Sequence, residues 1–365
     1  MKNIFLLLWI TVLFVPDSCA QDTDSGSIPK KTSWYNRLRF DSEFRFAVPP
    51  EKESAVWNYL LIRYKNPEIL LGTSKNSSLI LSQPSPERDT KEVFRGAILK
   101  NQGSPYLSRF AEELFLDTYY DTRNLHVLDA KAGVRYRRRF YEKEPGKMSP
   151  DKELVQIKFN SENPSDTLVR GEFKFPVKSK KKKNDSAPQP EEEKKQREPD
   201  EYVYKMVKKK EQKDFLEKAT LLKTDPMKLR RKLDLEQLRK RVYILRNDTT
   251  FITLTLDLVN SKKWGIKAHF AEVEFEINEK VFTVSDTNTR NRLWNMLKLL
   301  EDDLVKTFPD LVQDQLPKYN KMANQFEKKI PAFRFWLRNE KRIILILVCL
   351  VIFGVGAPLI RKKIR

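Results

Sequence analysis

Alternating polar and apolar residues predict β-strands along much of this chain. In the clearest segment, residues 134–140, Arg135, Arg137 and Arg139 fall on one face, while valine, tyrosine and phenylalanine fall on the other. Three guanidinium groups on one strand face repel one another and are costly to bury without an anion. That face therefore meets either water or a strongly negative partner.

Six further segments place charged or polar residues on one face and apolar residues on the other. They cover residues 40–46, 154–159, 169–175, 241–244, 251–258 and 270–277. Carboxylates come from the first and last of these strands, and basic residues come from those between them. If the strands form a barrel with the charges inward, helices cover the apolar exterior. Such an interior is too costly unless it holds water, a metal ion and a polyanion.

Apolar residues at helical spacing predict helices over 51–64, 214–240 and 289–307, with another helix following the last of these. No element is predicted for residues 65–113, where Pro, Ser and Asn cluster around one short apolar run. From 177 to 213 the chain is rich in Lys and Glu with almost no apolar residues, which predicts a disordered or solvated insertion. A plain linker is favoured there over a tether for polyanions.

Both ends of the chain have the character of targeting segments. Residues 1–20 have a positive start, an apolar core and small residues before Gln21, which is typical of a cleaved signal peptide rather than a membrane helix. Residues 343–360 are apolar throughout and just long enough to span a bilayer as a helix. The prediction is a flexible leader (21–35), a main domain (36–330) on the extracytoplasmic side, in a periplasm, a lumen or at the cell surface, a juxtamembrane segment (331–342), and a basic cytoplasmic tail (361–365).

Composition narrows the kinds of partner and site. The 365 residues include 70 Lys and Arg against 50 Asp and Glu, and the formal net charge of +20 indicates phosphate chains, nucleic acid or an anionic membrane as the partner. General nucleic-acid binding fits this charge but not the inward phasing of the charged faces. The two cysteines, Cys19 and Cys349, lie in the terminal apolar segments, which excludes disulfides and thiolate metal sites from the body. Two histidines are too few for a His-rich zinc site.

A series of charged motifs occurs in order over roughly residues 38–325. They are Asp41-Ser42-Glu43-Phe44-Arg45, Tyr119-Tyr120-Asp121-Thr122, Val134-Arg135-Tyr136-Arg137, Lys158, Arg170 with Glu172, Arg241, Asp257 and Glu272-Val273-Glu274, followed by a helix around 315–322. This order resembles that of the triphosphate tunnel metalloenzymes of the CYTH superfamily, whose opening motif is Glu-x-Glu-x-Lys. Asp41 and Arg45 depart from that opening motif but keep its charges.

The resemblance implies an α+β fold in which eight antiparallel strands form a tunnel with helices packed outside. It also implies a metal-dependent reaction on a triphosphate group, usually hydrolysis and in some members cyclisation of ATP. Catalysis would depend on Glu43, Glu272 and Glu274. The cofactor, Mg²⁺ or Mn²⁺, would be held by Asp41, Glu43, Glu172, Glu272 and Glu274. The phosphate chain would be bound by Arg45, Arg135, Arg137, Lys158, Arg170 and Arg241.

The expected function is that of an exported, membrane-anchored phosphohydrolase acting on inorganic triphosphate, polyphosphate or another triphosphate-bearing substrate. The alternative is a non-catalytic tunnel that binds polyphosphate or another polyanion at the membrane surface. The shorter carboxylate of Asp41 and the scarcity of nucleoside triphosphates outside the cytosol favour this alternative. Synthesis of polyphosphate needs cytosolic nucleotide, which the predicted topology opposes.

Overall fold

The computed structural model describes residues 39–63, 79–82, 98–101, 106–144, 147–160, 168–178, 199–246, 249–278, 281–282 and 285–340. The predicted signal peptide, leader, membrane-spanning segment and basic tail all lie outside these residues. Within the described residues, no helix is both long enough and apolar enough to cross a membrane.

The described residues form eleven strands and several helices. The strands are β1 (Arg39–Val48), β2 (Leu79–Ser82), β3 (Ile98–Asn101), β4 (Tyr106–Asp121), β5 (Gly133–Glu144), β6 (Lys147–Asn160), β7 (Leu168–Pro176), β8 (Arg230–Arg246), β9 (Thr249–Lys263), β10 (Ile266–Ile277) and β11 (Val312–Gln313). The helices are α1 (Glu53–Arg63), α2 (His126–Asp129), α3 (Gln212–Thr220), α4 (Thr287–Thr307) and α5 (Lys318–Lys329), and residues 333–340 are also helical.

Strand pairing is antiparallel throughout, and neighbours follow the order β2-β3-β4-β5-β6-β7-β1-β10-β9-β8. In addition, β4 pairs with β8 along nearly its whole length. The ladder that starts at β4 therefore returns to β4, and eight strands form a ring of pairings. β2, β3 and β11 attach to this ring. The antiparallel sheet with its helices agrees with the predicted α+β class.

Alternation along the strands gives the ring a polar inner face and an apolar outer face. On β10, Glu272 and Glu274 point inward, while Val273 and Phe275 belong to an outer core that includes residues of α1 and α4. Buried side chains of this size each contribute about 1.5–3 kcal/mol of hydrophobic stabilisation. The outer core fixes which face of each strand looks inward, because a shift of one residue would turn every side chain over.

Two predictions about the middle of the chain are wrong. Helix α3 ends at Thr220, and residues 230–240, predicted as helical, belong to strand β8, which also includes the predicted strand segment 241–244. Leu233 and Leu235 are two residues apart, a strand spacing, and pairing with β4 and β9 on both sides holds the segment extended. The predicted disordered insertion also ends too late, because residues 199–213 are ordered. Val203 and Met206 are buried against the outer face of β5, β6 and β7.

Candidate active site

Polar side chains from seven strands of the ring and from the start of α5 meet at one cavity of about 170 Å³. Among the described residues, nine basic and three acidic side chains line it, so an anion is the ligand that its charge favours. The basic residues are Arg45, Lys131, Arg135, Arg137, Lys158, Lys174, Arg239, Arg241 and Lys318; the acidic residues are Glu172, Glu274 and Glu276.

Asp117 on β4 holds two of the arginines. Arg137 lies directly opposite Asp117 in the β4–β5 register. Its Nε and Nη2 donate to the two carboxylate oxygens at 2.7 and 2.6 Å, and Arg135 Nη1 donates at 3.0 Å. Burial alone would raise the pKa of Asp117, but the two guanidinium groups outweigh it and hold the pKa below its usual value. The buried carboxylate of Asp117 thus forms ion pairs with both arginines.

Glu172 on β7 repeats this arrangement with lysines. Lys174 Nζ lies 2.6 Å from one carboxylate oxygen and Lys158 Nζ lies 3.6 Å from the other. Gln156 donates to Glu172 at 2.6 Å and accepts from Arg135 at 2.7 Å, which links the two groups. Burial would raise the pKa of Glu172, yet the neighbouring lysines hold it far below the usual range.

A third group of the same kind lies further along the ring. Glu113 on β4 is buried, and its oxygens lie 2.5 Å from Arg139 and 3.2 Å from Arg241. Arg241 also donates to the hydroxyl of Tyr243 at 2.8 Å. Burial raises the pKa of Tyr243 to about 12, so this phenol stays neutral at physiological pH. Again, two cations face one carboxylate.

The fourth group contains three carboxylates, Asp257, Glu272 and Glu274, which we call the carboxylate triad. Each contributes an oxygen that lies within 4.8 Å of the other two. Carboxylate oxygens are the ligands that Mg²⁺ and Mn²⁺ prefer, so the donor set fits a hard divalent cation. Among the described residues the triad is the group of this kind that could hold a metal.

Four basic side chains already contact the triad. Arg45 Nε lies 3.0 Å from Glu274, and Arg239 reaches both Asp257 and Glu274. Lys318 Nζ contacts all three carboxylates, at 2.9 Å from Asp257 and 2.6 Å from Glu274, and Lys321 donates to Glu272 at 2.6 Å. Burial would raise the pKa of Glu274, but Lys318, Arg45 and Arg239 hold it well below the usual value.

The Tyr-Tyr-Asp-Thr motif fixes helix α5, which carries Lys318 and Lys321. Tyr119 stacks on Tyr319, with ring centroids 5.0 Å apart and planes 11° apart. Asp121 accepts hydrogen bonds from the backbone N–H groups of Val127 and Leu128 at 2.9 and 3.0 Å, and from the Tyr319 hydroxyl at 3.3 Å. The motif therefore positions α5 rather than contacting a ligand through Asp121.

Replacing Asp121 by asparagine is expected to change how stability depends on pH. Burial raises the pKa of Asp121 from 3.8 to about 6, against the opposing backbone hydrogen bonds. A raised pKa means that the protonated form favours folding, so this contribution is complete below pH 3.8 and is lost as the pH rises through about 6. Relative to Asp121→Asn, the wild type should gain about 3 kcal/mol in free energy of unfolding when the pH falls through this window.

Urea unfolding of both proteins at several pH values measures this difference. The other carboxylates titrate alike in the two proteins, so subtracting one curve from the other isolates Asp121. A difference that stays constant with pH would show that Asp121 does not titrate in this window.

The predicted site residues are largely brought together. Arg45, Arg135, Arg137, Lys158, Glu172, Arg241 and Glu274 line the cavity, and Glu272 is fully buried in the triad. Glu172 was predicted as a metal ligand, but it lies between two lysines and outside the triad. Asp41 and Glu43 lie in β1 and Arg170 lies in β7, and their side chains are outside the described part of the structure.

Sequence reasoning missed several residues of the site, and four of them make its main contacts. Lys318 and Lys321 fall in the segment read only as a C-terminal helix, and Arg239 falls in the segment wrongly read as helical. Asp117 lies two residues before Tyr119, the first residue of the Tyr-Tyr-Asp-Thr motif. Side chains alternate along a strand, so this spacing could have placed Asp117 on the inner face of β4.

No family model matches this chain, and no curated protein matches it. Among solved structures, it is similar to a candidate adenylate cyclase from Bacillus halodurans, with 14% identity, a TM-score of 0.32, and coverage of 79% of this chain and 98% of that one. A candidate adenylyl cyclase from Hippeastrum, described as having a dominant triphosphatase activity, shows 12% identity and a TM-score of 0.33, covering 80% and 98%. The mimivirus capping-enzyme triphosphatase shows 9% identity and a TM-score of 0.29, covering 73% and 92%.

These are the kinds of protein that the motif resemblance implied. At such low TM-scores and identities, no activity or substrate carries over to this chain. A function for this chain has to be inferred from its own side chains.

Proposed function

We propose that this chain binds the phosphate chain of a triphosphate in the cavity and hydrolyses a phosphoanhydride bond with the help of Mg²⁺ or Mn²⁺. The observation that carries the proposal is the excess of basic over acidic side chains among the described residues that line the cavity, nine against three. Asp117, Glu172 and Glu113 each face two basic side chains, and the triad faces four.

Among the described residues, the lining of the cavity therefore carries an excess of positive charge. Buried charge that is not balanced costs several kcal/mol per ion, so a structural network of ion pairs would be expected to balance its signs. A phosphate chain supplies the missing negative charge, spread over several oxygens, and the groups are spread over several strands in the same way. Guanidinium groups bind such oxygens through two parallel hydrogen bonds, which favours arginine here.

Positioning and neutralisation of charge supply most of the catalysis in phosphoryl transfer. Arg135, Arg137 and Arg241 would hold the phosphates and offset the charge that develops on the transferred group. The triad would hold the divalent cation. When bound, this cation would neutralise further negative charge on the phosphates and lower the pKa of a water molecule. Because Asp117 and Glu113 tie the arginines in place, the cations are oriented before the substrate arrives.

The proposal is tested by measuring phosphate release by the full chain from tripolyphosphate, long-chain polyphosphate, ATP and thiamine triphosphate. We expect release from at least one of them with Mg²⁺ or Mn²⁺, and loss of release when the metal is chelated. No release from any of the four, across several metals and pH values, would refute hydrolysis.

Binding without turnover is the second candidate function, and one observation favours it specifically. Lys318 already contacts all three carboxylates of the triad, so the charges of a metal site are satisfied without metal. If the protein binds without turnover, tripolyphosphate should bind tightly in the presence of a chelator, and its affinity should fall as the salt concentration rises. A strict requirement for metal in the binding step would exclude this second candidate.

The location of the protein remains part of the proposal. The apolar segments near residues 4–15 and 343–360 support export followed by membrane anchoring through the C-terminal segment. Protease added outside intact cells, or outside sealed vesicles of the correct orientation, should then digest the main domain. Complete protection of residues 36–330 would place the domain on the other side.

A further inference from the structure

Lys318 occupies the place in the carboxylate triad that a divalent cation would take. The triad oxygens converge within 4.8 Å, and the single Nζ atom of Lys318 reaches all three side chains. The residue is only 6% exposed, so water does not compete strongly for this ammonium group. A cation that binds three carboxylates from inside the same chain is an alternative to a metal ion.

Lys318 and a divalent metal ion cannot occupy the triad together, because both are positively charged. Lys318, Lys321, Arg45 and Arg239 already contact the three carboxylates, so basic groups of the chain itself already neutralise the negative charge of the triad. A divalent ion added within about 4 Å of these groups would be repelled strongly in a buried, poorly screened site. One of the four basic groups must therefore leave the triad before a metal can bind.

Lys318 is better able to leave than Arg239 or Lys321. Arg239 donates two hydrogen bonds to Asp257, from Nε to Oδ1 at 2.7 Å and from Nη2 to Oδ2 at 2.5 Å. Lys321 is tied to the backbone carbonyl of Asp314 at 2.9 Å as well as to Glu272. Lys318 has a flexible four-carbon stem and also lines the cavity, so its ammonium group can turn from the triad into the cavity.

The backbone of α5 does not need to move for this exchange. Tyr319 stacks on Tyr119, and Asn320 Nδ2 donates to the Leu128 carbonyl at 2.7 Å, which fixes the residues beside Lys318. The change is confined to the rotamer of one side chain. The triad then loses one ammonium group, and the cavity gains it.

We infer that Lys318 is a built-in cation of the carboxylate triad, which a divalent metal must displace in order to bind. Metal binding to the resting protein is consequently weak. The displaced ammonium group then faces the phosphate chain, so metal and phosphate binding support each other. Only this last step rests on the proposed function, because competition between Lys318 and metal requires no substrate.

The test is a titration of the full chain with Mn²⁺ alone, followed by calorimetry or by the electron paramagnetic resonance signal of free Mn²⁺. Lys318→Met keeps the length of the side chain and removes its charge, and we expect it to bind Mn²⁺ at least about tenfold more tightly than the wild type. The matched control is Lys329→Met on the same helix. Lys329 donates to the backbone carbonyl of Lys267, away from the triad, so its loss should leave Mn²⁺ affinity unchanged.

Lys318→Arg separates charge from packing. It keeps the positive charge, so its Mn²⁺ affinity should stay as low as that of the wild type. Equal affinities of the wild type and Lys318→Met would overturn the inference, and so would an Lys318→Arg variant that binds as tightly as Lys318→Met. If Lys318→Met is unstable, its melting temperature should rise with Mn²⁺ more than that of the wild type, because metal binds only the folded triad. An equal rise would also overturn the inference.

These readouts contain no phosphate and require no turnover. Failure of the phosphate-release screen would leave the Mn²⁺ result intact, and failure of the Mn²⁺ test would leave phosphate release open. The two proposals are therefore tested separately.

Discussion

Glu274→Gln is expected to lower the rate of phosphate release from tripolyphosphate by at least about a hundredfold at saturating Mn²⁺. Glu274 is the member of the carboxylate triad that contacts Arg45, Arg239 and Lys318 together. Glutamine keeps the shape of the side chain but removes the charge that binds metal. The measurement is the initial rate of release over a range of Mn²⁺ concentrations.

The control for this substitution is Glu236→Gln on strand β8. Glu236 is exposed on the outer side of the ring, where loss of one carboxylate should leave the rate unchanged. Circular dichroism and the melting temperature show whether both variants fold. Wild-type rates for a folded Glu274→Gln protein would mean that the triad takes no part in the reaction.

Arg137→Ala is expected to weaken tripolyphosphate binding much more than Arg138→Ala, although the two residues are neighbours. Arg137 lines the cavity, whereas Arg138 shares the opposite face of β5 with Tyr136, whose ring centroid lies 6.0 Å away. A charge-assisted hydrogen bond to phosphate is worth about 1.5–3 kcal/mol, which corresponds to roughly a ten- to hundredfold loss in affinity. A partly exposed guanidinium group outside the cavity contributes about 0–1 kcal/mol.

Dissociation constants for the two variants should be measured at one fixed salt concentration, because binding of a polyanion depends strongly on salt. Arg137→Ala also removes one of the two cations on Asp117, so its stability has to be compared with that of Arg138→Ala before affinities are interpreted. Equal losses of affinity would mean that the inner face of β5 has been assigned wrongly.

Much of the inner face could be predicted from the sequence, because strand alternation is a local signal. On β10 the apolar residues Val273 and Phe275 and the carboxylates Glu272 and Glu274 alternate without a break, and the structure places them on opposite faces. The same reasoning separates Arg137 from Arg138 on β5. A two-residue period needs no knowledge of which strands are neighbours.

The pairing of charges could not be predicted in this way. Asp117 meets Arg137 because β4 lies beside β5, and Arg239 meets Asp257 because β8 lies beside β9. These contacts depend on strand order and register, which are set by packing across the whole domain. Lys318 reaches the triad only because α5 docks on Tyr119 and Leu128, and its own segment carries no signal of that contact.

The ring of pairings also has a consequence for the folding of this chain during synthesis. Strand β1 lies between β7 and β10, with Arg45 directly opposite Glu274, so the first strand of the ring in sequence pairs with the last. Contacts this distant in sequence slow folding. Arg45 on β1 and Arg239 on β8 leave the ribosome before the carboxylates of β9 and β10, so neither can contact the triad until the ring is nearly complete. The site therefore comes into existence only when the ring closes, after α5 has been made.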